Sequence, residues 1–149
     1  MDELRDLYQA TILDHSKAPR NFREIEGCDH QADGHNPICG DKLHVAAELE
    51  GDRVKDVAFQ GAGCAICMAS ASLMTEKVRG QTLDEIERVF TDFHELVTRS
   101  DSEVDTSALG KLAVFSGVRE YPMRVKCATL AWHTLRAALD ESSEVAKTE

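Results

Sequence analysis

Residues 42–50 alternate between apolar and polar side chains, and this alternation limits the possible folds more than any other feature of the chain. One face is apolar throughout and the other is mostly polar: Leu43, Val45, Ala47 and Leu49 against His44, Ala46, Glu48 and Glu50. A period of two residues is typical of a strand with one buried face. Residues 50–52 (EGD) then turn the chain, and Val57 and Phe59 continue the apolar face of a second strand. We therefore predict an antiparallel hairpin that ends at residues 60–64 (QGAGC).

Helices are predicted on both sides of this hairpin. The opening segment has helical apolar spacing and should end near Pro19, and residues 17–38 are predicted to be a loop. After the hairpin, a helix rich in small residues should close on Gly80, and Thr82 with Glu85 forms a capping box for the next helix. A polar connector over 99–108, a short helix over 109–118 and a final helix after Pro122 follow. Residues 1–149 are predicted to form one domain with a frayed tail from about residue 141.

The charge balance argues against two classes of function. The chain has 17 basic and 27 acidic residues and a formal net charge of −10, whereas nucleic-acid binding and polybasic membrane binding both need a positive surface. The N-terminal MDELRDLYQA lacks the apolar core of a secretory signal, and no apolar run is long enough to span a bilayer. We predict a cytoplasmic protein without nucleic-acid or membrane partners, in which the five cysteines stay reduced.

Three of these cysteines lie where predicted elements begin or end. Cys39 is on a turn bracketed by Pro37 and Gly40, while Cys64 and Cys127 lie near the starts of helices, where the partial positive charge favours a thiolate. Asp41 follows Cys39 at two residues and could reach the same point. Three thiolates and a carboxylate would satisfy the four-coordinate preference of Zn²⁺. The separations match no short zinc-binding motif, so from the residues alone a metal site and buried core cysteines both stay open.

Longer segments around these cysteines resemble a known family. NPICGDKL, GAGCAICMASASLM and YPMRVKCATLAWHTL, together with LDHSKAPRNF near the start, are similar to the signature segments of the iron–sulfur cluster assembly proteins of the IscU/SufU (NifU N-terminal-like) family. The resemblance covers roughly residues 4–140. It implies an α+β fold of the SufE/NifU type, with a small antiparallel sheet of about three strands packed against several helices. It also implies that the three cysteines and the aspartate gather at one exposed end.

Within this family the chain resembles the SufU branch. Scaffold-type IscU proteins carry a histidine immediately before the third cysteine, where this chain has Lys126, and residues 99–124 are consistent with the insertion of SufU-type members. The resemblance implies Zn²⁺ bound by Cys39, Asp41, Cys64 and Cys127. It further implies that Cys39 accepts persulfide sulfur from a SufS-like cysteine desulfurase and that downstream iron–sulfur assembly proteins are partners. The expected activity is that of a zinc-dependent sulfurtransferase.

Three alternatives stay open. The same residues could build a [2Fe–2S] cluster as a scaffold, with Lys126 in place of histidine against it, or they could form a structural zinc clasp in an interaction module. The third alternative is a thiol oxidoreductase built on Cys64 and Cys67, because this chain has CxxC where many relatives have serine at the second position. Arg124 is a candidate for stabilising a thiolate or for pairing with Asp41, and the competing interpretation is a solvated cation.

Overall fold

The structure is a computed structural model that describes residues 2–28, 30–98, 107, 109–140 and 146–147, with side chains described from Ala10 to Asp140 within those ranges. The strands are β1 (His30–Asn36), β2 (Asp41–Glu50), β3 (Arg53–Ala62) and β4 (Ala146–Lys147). The helices are α1 (Asp2–Lys17), α2 (Ala65–Val78), α3 (Leu83–Thr98), a 3₁₀ helix (Gly110–Glu120) and α4 (Pro122–Leu139). This is an α+β fold, as expected, in which helices cover a small antiparallel sheet.

The hairpin predicted from the alternating pattern is confirmed as β2 and β3. The two strands pair antiparallel with Val45 opposite Phe59, and the register shifts once between Glu48 and Leu49. Val45, Ala47, Val57 and Phe59 are fully buried, whereas Glu48 and Glu50 are exposed. The apolar face therefore packs against the helices, and the polar face is directed away from them.

The prediction of a loop over residues 17–38 is wrong for its last part. His30–Asn36 forms β1, which pairs antiparallel with β2 and places Asp33 opposite His44. Its inward positions are Ala32, Gly34 and Asn36, so the strand has almost no apolar signal in sequence. At Gly34 the strand approaches α4 so closely that any side chain would collide with Thr134. A strand with small inward residues fits here because the helix leaves no room for larger ones.

The sheet order is β3-β2-β1-β4. The two-residue β4 pairs parallel with the outer edge of β1, at Gly34 and His35. The prediction of a frayed tail from about residue 141 otherwise falls outside the described residues. Most of the predicted connector over 99–108 also lies outside them, and the short helix predicted over 109–118 corresponds to the 3₁₀ helix.

The core lies between the sheet and the helices. Helix α4 packs on β1 and β2, and α2 packs between α1 and α4. Small residues along α2 permit this close approach, and the hydroxyl of Ser70 donates to the carbonyl of Ala128 in α4 at 2.5 Å. On the other side of α4, Phe93 stacks on Trp132 at 5.1 Å between ring centroids and meets Phe115 edge-on at 5.7 Å. The tight α2–α4 contact fixes the relative position of the two helix ends that carry Cys64 and Cys127.

Helix α1 is held to α2 by a buried polar contact rather than by apolar packing alone. His15 is 2% exposed, and its Nδ1 lies 2.7 Å from the hydroxyl of Ser72, which also accepts the backbone N–H of Arg20. Burial lowers the pKa of His15, which favours its neutral form. Among the residues that the structure describes, every helix is too short or too polar to cross a lipid bilayer.

Candidate metal centre

Four chain segments converge at one end of the sheet. Cys39 lies on the turn between β1 and β2, Asp41 is the first residue of β2, Cys64 precedes α2, and Cys127 lies in the second turn of α4. The β1–β2 turn is closed by a hydrogen bond from the Gly40 N–H to the Asn36 carbonyl at 2.8 Å, with Gly40 at φ +75°. Glycine adopts this conformation at little cost, which explains the glycine between the cysteine and the aspartate.

Three potential ligands come within reach of one ion. The sulfurs of Cys39 and Cys127 and a carboxylate oxygen of Asp41 all lie within 4.8 Å of one another. The sulfurs of Cys127 and Cys39 are 3.5 Å apart, within hydrogen-bond distance of each other. A tetrahedral zinc ion with Zn–S bonds of ~2.3 Å holds two sulfurs about 3.8 Å apart. The spacing of these side chains and their donor types therefore fit Zn²⁺ with only small adjustments.

Cys64 lies next to these three residues, but its sulfur is not among the donor atoms that lie within 4.8 Å of one another. Its backbone N–H donates to Asp41 Oδ1 at 3.0 Å, and its sulfur accepts a hydrogen bond from the Cys127 thiol. Cys127 is thus in contact with both other cysteines. A ligand set of Cys39, Asp41, Cys64 and Cys127 requires the Cys64 side chain to turn towards the other three donors.

A hydrogen bond between the side chains of Cys64 and Cys127 shifts their pKa values in opposite directions. The hydrogen bond from Cys127, aided by the N–H groups of Ile66 and Cys67 at the start of α2, lowers the pKa of Cys64 to about 6. The same hydrogen bond, together with burial, raises the pKa of Cys127. These opposite shifts favour the thiolate form of Cys64 and the thiol form of Cys127, which donates to it.

Asn36 is a site residue that the sequence reasoning missed. It is fully buried, and its side-chain N–H₂ donates to Asp41 Oδ2 at 3.4 Å and lies 3.8 Å from the Cys127 sulfur. Its Oδ1 accepts the backbone N–H of Ile38 at 3.3 Å. The available signal was the asparagine that opens NPICGD, since asparagine favours turns whose backbone N–H groups its side chain can bind.

Cys67 lies beneath the group in the first turn of α2. Its side chain is fully buried. Burial, followed by the negative charges of Asp41, Cys64 and Cys39, raises the pKa of its thiol. Gly63 separates this thiol from the carboxylate: a Cβ on Gly63 would lie 2.7 Å from Asp41 Oδ1 and 3.1 Å from the Cys67 sulfur. The absence of a side chain at Gly63 is therefore what allows both groups to occupy this space.

The rim of the site combines cationic and apolar side chains. Arg124 is exposed, and the pKa of its guanidinium is raised first by the charge on Cys64 and then by its hydrogen bonds to Cys64 and Cys127. Large apolar side chains around it are more than half exposed: Ile38 at 56%, Tyr121 at 54% and Met123 at 55%. Cys28 is remote from this rim, because its thiol donates to the Ala47 carbonyl at 2.8 Å at the far end of β2.

Known proteins are similar to this chain over most of its length. A family model described as the NifU-like N-terminal domain matches residues 7–128. The iron–sulfur cluster assembly scaffold protein IscU of Streptococcus pyogenes is 34% identical over 143 residues, which cover 96% of this chain and 89% of that protein. The zinc-dependent sulfurtransferase SufU of Bacillus subtilis is 38% identical over 135 residues, which cover 89% and 88%. A crystal structure from Fervidobacterium islandicum, described as a candidate scaffold protein for the SUF system, superposes with a TM-score of 0.81 at 36% identity and covers 87% of this chain and 93% of its own.

Proposed function

The chain belongs to the family of NifU-like N-terminal domains, and from this premise we propose that it is a zinc-dependent sulfur acceptor in iron–sulfur cluster assembly. It takes persulfide sulfur from a cysteine desulfurase and passes it to downstream assembly proteins in the cytoplasm. The Bacillus subtilis relative, which is named a zinc-dependent sulfurtransferase, supports this assignment. The enzymatic activity is then that of a sulfurtransferase that acts together with the desulfurase.

One observation carries the proposal. Cys39, Asp41 and Cys127 present their donor atoms within 4.8 Å of one another, and Cys39 lies on an exposed turn between two strands. Cys64 completes the set, so that Cys39, Asp41, Cys64 and Cys127 would hold the ion. When bound, Zn²⁺ would keep the thiolates deprotonated while engaging the lone pairs that oxidants attack. The hard carboxylate among soft thiolates makes the set exchangeable, which suits a reactive site better than a structural one.

Cys39 is the acceptor in this proposal because its turn is accessible to a second protein. Its thiolate attacks the outer sulfur of the donor persulfide, so that a new S–S bond forms on Cys39 and the S–S bond of the donor breaks. The donor cysteine leaves as a thiolate, and no external oxidant or reductant is needed. Asp41, Cys64 and Cys127 would retain the ion while Cys39 reacts. Arg124, beside Cys64 and Cys127, contributes positive charge where thiolate charge accumulates.

The rim around the site fits the docking of a desulfurase. Ile38, Tyr121 and Met123 are exposed on the two segments that carry Cys39 and Cys127. Apolar side chains of this size are frequent anchors in protein interfaces. The reacting sulfur would thus be surrounded by surface that a partner can cover, which keeps water away from the persulfide during transfer.

A second candidate is a scaffold for a [2Fe–2S] cluster, and the Streptococcus pyogenes relative is named an iron–sulfur cluster assembly scaffold protein. Thiolates with one carboxylate are also suitable ligands for iron. The two roles differ in the metal found in the isolated protein. A colourless protein with one equivalent of zinc supports sulfur transfer, whereas visible charge-transfer absorption with iron and sulfide supports the scaffold.

The test uses the purified protein, a cysteine desulfurase and cysteine. We expect mass spectrometry to detect one added sulfur on the peptide that contains Cys39. Cys39→Ser should lose this addition and retain part of its zinc. Cys28→Ser is the matched control, since Cys28 binds a carbonyl far from the site, and it should accept sulfur normally. Full sulfur acceptance by Cys39→Ser would refute the assignment of Cys39.

A further inference from the structure

We propose that Cys67 is a reserve metal ligand, whose thiolate replaces Asp41 and closes a four-sulfur set with Cys39, Cys64 and Cys127. The inference rests on the proposed metal site and adds a fifth donor to it. It gives the site two forms: an open form with the Asp41 carboxylate bound, and a closed form with Cys67 bound. The ligand class is a thiophilic divalent cation, since four thiolates suit zinc and similar ions.

Cys67 lies close to Asp41. Both Asp41 Oδ1 and the Cys67 sulfur lie against the same side of Gly63, at 2.7 Å and 3.1 Å from the point where a Cβ would be. They therefore border one small space with no side chain between them. Replacement of the carboxylate by this thiol would need a rotation of the Cys67 side chain and a shift of the turn at Gly63.

The surroundings of Cys67 also favour a role as a metal ligand. The residue is fully buried, and among the described residues no hydrogen-bond partner is found for its sulfur. The negative charges of Asp41, Cys64 and Cys39, three of the four proposed ligands, act on its thiol. Cys67 also follows Cys64 by three residues at the start of α2, a spacing that places two side chains on the same side of a helix.

The exchange is chemically balanced. Asp41 leaves as a carboxylate, Cys67 binds as a thiolate, and its thiol proton passes to solvent. The formal charge of the four ligands is unchanged, because one anionic group replaces another. Sulfur is the softer donor, so the closed form should hold a thiophilic ion more tightly and exchange it more slowly. The open form, with its weaker oxygen ligand, is the form that gives up a ligand readily.

The competing role for the CxxC pair is a disulfide between Cys64 and Cys67. That role needs an oxidant, and it would remove both sulfurs from the ligand set. The two roles therefore differ in the number of thiolates that bind metal when Asp41 is removed. This number can be measured without any assay of sulfur transfer.

The experiment titrates Co²⁺ into the full-length, reduced, metal-free protein and counts thiolate ligands from the intensity of the sulfur-to-cobalt charge-transfer band. Zinc K-edge X-ray absorption of the zinc-loaded variants gives an independent sulfur count. We expect three thiolates in the unchanged protein and in Cys67→Ser. We expect four in Asp41→Ala, and three in Asp41→Ala/Cys67→Ser with affinity for Co²⁺ at least ~10-fold weaker than in Asp41→Ala. Cys28→Ser should match the unchanged protein.

The outcomes separate this inference from the function on which it rests. Three thiolates in Asp41→Ala, beside three in the unchanged protein, would overturn the role of Cys67 and leave the metal site intact. Fewer than three in the unchanged protein would overturn the metal site itself. A Cys64–Cys67 disulfide in Asp41→Ala under reducing conditions would also overturn the inference. If Asp41→Ala does not fold, Asp41→Asn with and without Cys67→Ala makes the same comparison, because an amide is a poor ligand for these ions.

Discussion

Asn36 links three parts of the site through one buried amide. Its N–H₂ group contacts Asp41 and Cys127, and its oxygen holds the backbone of the turn at Ile38. Groups that orient ligands in this way are often worth 10- to 100-fold in metal affinity. Asn36→Ala should therefore weaken zinc binding by roughly 10-fold or more, as measured by competition with a chromophoric chelator.

The matched control for this variant is Gln31→Ala on the same strand. Gln31 is exposed and contacts His44 and the Cys28 carbonyl, away from the cysteines. Its zinc affinity should equal that of the unchanged protein. Equal affinities in Asn36→Ala and Gln31→Ala would show that Asn36 does not orient the ligands.

Arg124 differs from Asn36, because it stabilises the negative charge of a thiolate rather than orienting a ligand. Its guanidinium lies beside the sulfurs of Cys64 and Cys127, and removal of a cation there disfavours the thiolate. In metal-free Arg124→Ala the pH midpoint for alkylation of Cys64 should move upwards from about 6, as followed by peptide mass spectrometry. Lys126→Ala is the control on the same helix, and an unchanged midpoint in Arg124→Ala would refute the role.

The candidate ligands, which are the cysteines and Asp41, could be predicted from the sequence, whereas the residues that position them could not. Cys39, Cys64 and Cys127 each adjoin a turn or a helix start, where ligands are commonly presented, and this is visible in sequence. Asn36 and Gly63 act through contacts with residues that are distant in sequence: the Asn36 amide lies 3.8 Å from the Cys127 sulfur, and a Cβ on Gly63 would lie 2.7 Å from Asp41 Oδ1. No local pattern contains such a distance, so these two residues could be found only in the folded chain.

Among the elements, the hairpin and the helices were predictable, whereas β1 was not. The β2–β3 hairpin has an apolar face of branched and aromatic residues, and α3 has a clear apolar stripe. Strand β1 buries Ala32, Gly34 and Asn36 instead, because α4 crosses it closely. Its alternation is one of size rather than of polarity. A pattern based on hydrophobicity therefore treats a central strand of this sheet as a loop.

The capping box at the start of α3 is confirmed and gives a prediction about stability. The Thr82 N–H donates to the Glu85 carboxylate at 3.2 Å, and the Glu85 N–H donates to the Thr82 hydroxyl at 3.2 Å. Thr82→Ala removes the second bond and should lower the free energy of unfolding by about 1 kcal/mol, as measured by urea denaturation. Thr91→Ala, which removes only a hydroxyl contact within the same helix, should change stability less.

This cap should also depend on pH. The hydrogen bonds from Thr82 hold the pKa of Glu85 below its ordinary value. A lowered pKa in the folded state means that the stabilisation is complete above the unfolded pKa and is lost as the pH falls through the folded pKa. The stability difference between Glu85→Gln and the unchanged protein should therefore shrink in acid. A difference that grows below pH 4 would contradict the assigned bonds.

In the described part of the chain, most of the core is built by residues outside the site. The largest buried side chains, which include Trp132, Phe59, Phe93 and Phe115, belong to the sheet and the helices rather than to the site. Of the described site residues, Cys67 and Cys127 are buried members of the core cluster, and Cys39 and Cys64 pack against it. We therefore expect the fold to survive removal of a bound metal ion, unlike small zinc domains that unfold when the metal is removed.

Removal of the metal should therefore abolish sulfur acceptance without unfolding the protein. Zinc bound well above its dissociation constant stabilises the folded state by several kcal/mol, so chelation should lower Tm by about 10 °C. Far-UV circular dichroism at 25 °C should stay that of the folded protein, while sulfur acceptance is lost and returns when zinc is added. Cys28→Ser should behave in the same way, since its thiol is outside the site. Loss of the helical signal on chelation would instead identify a structural zinc clasp, because the helices unfold on metal removal only if the metal holds the fold together.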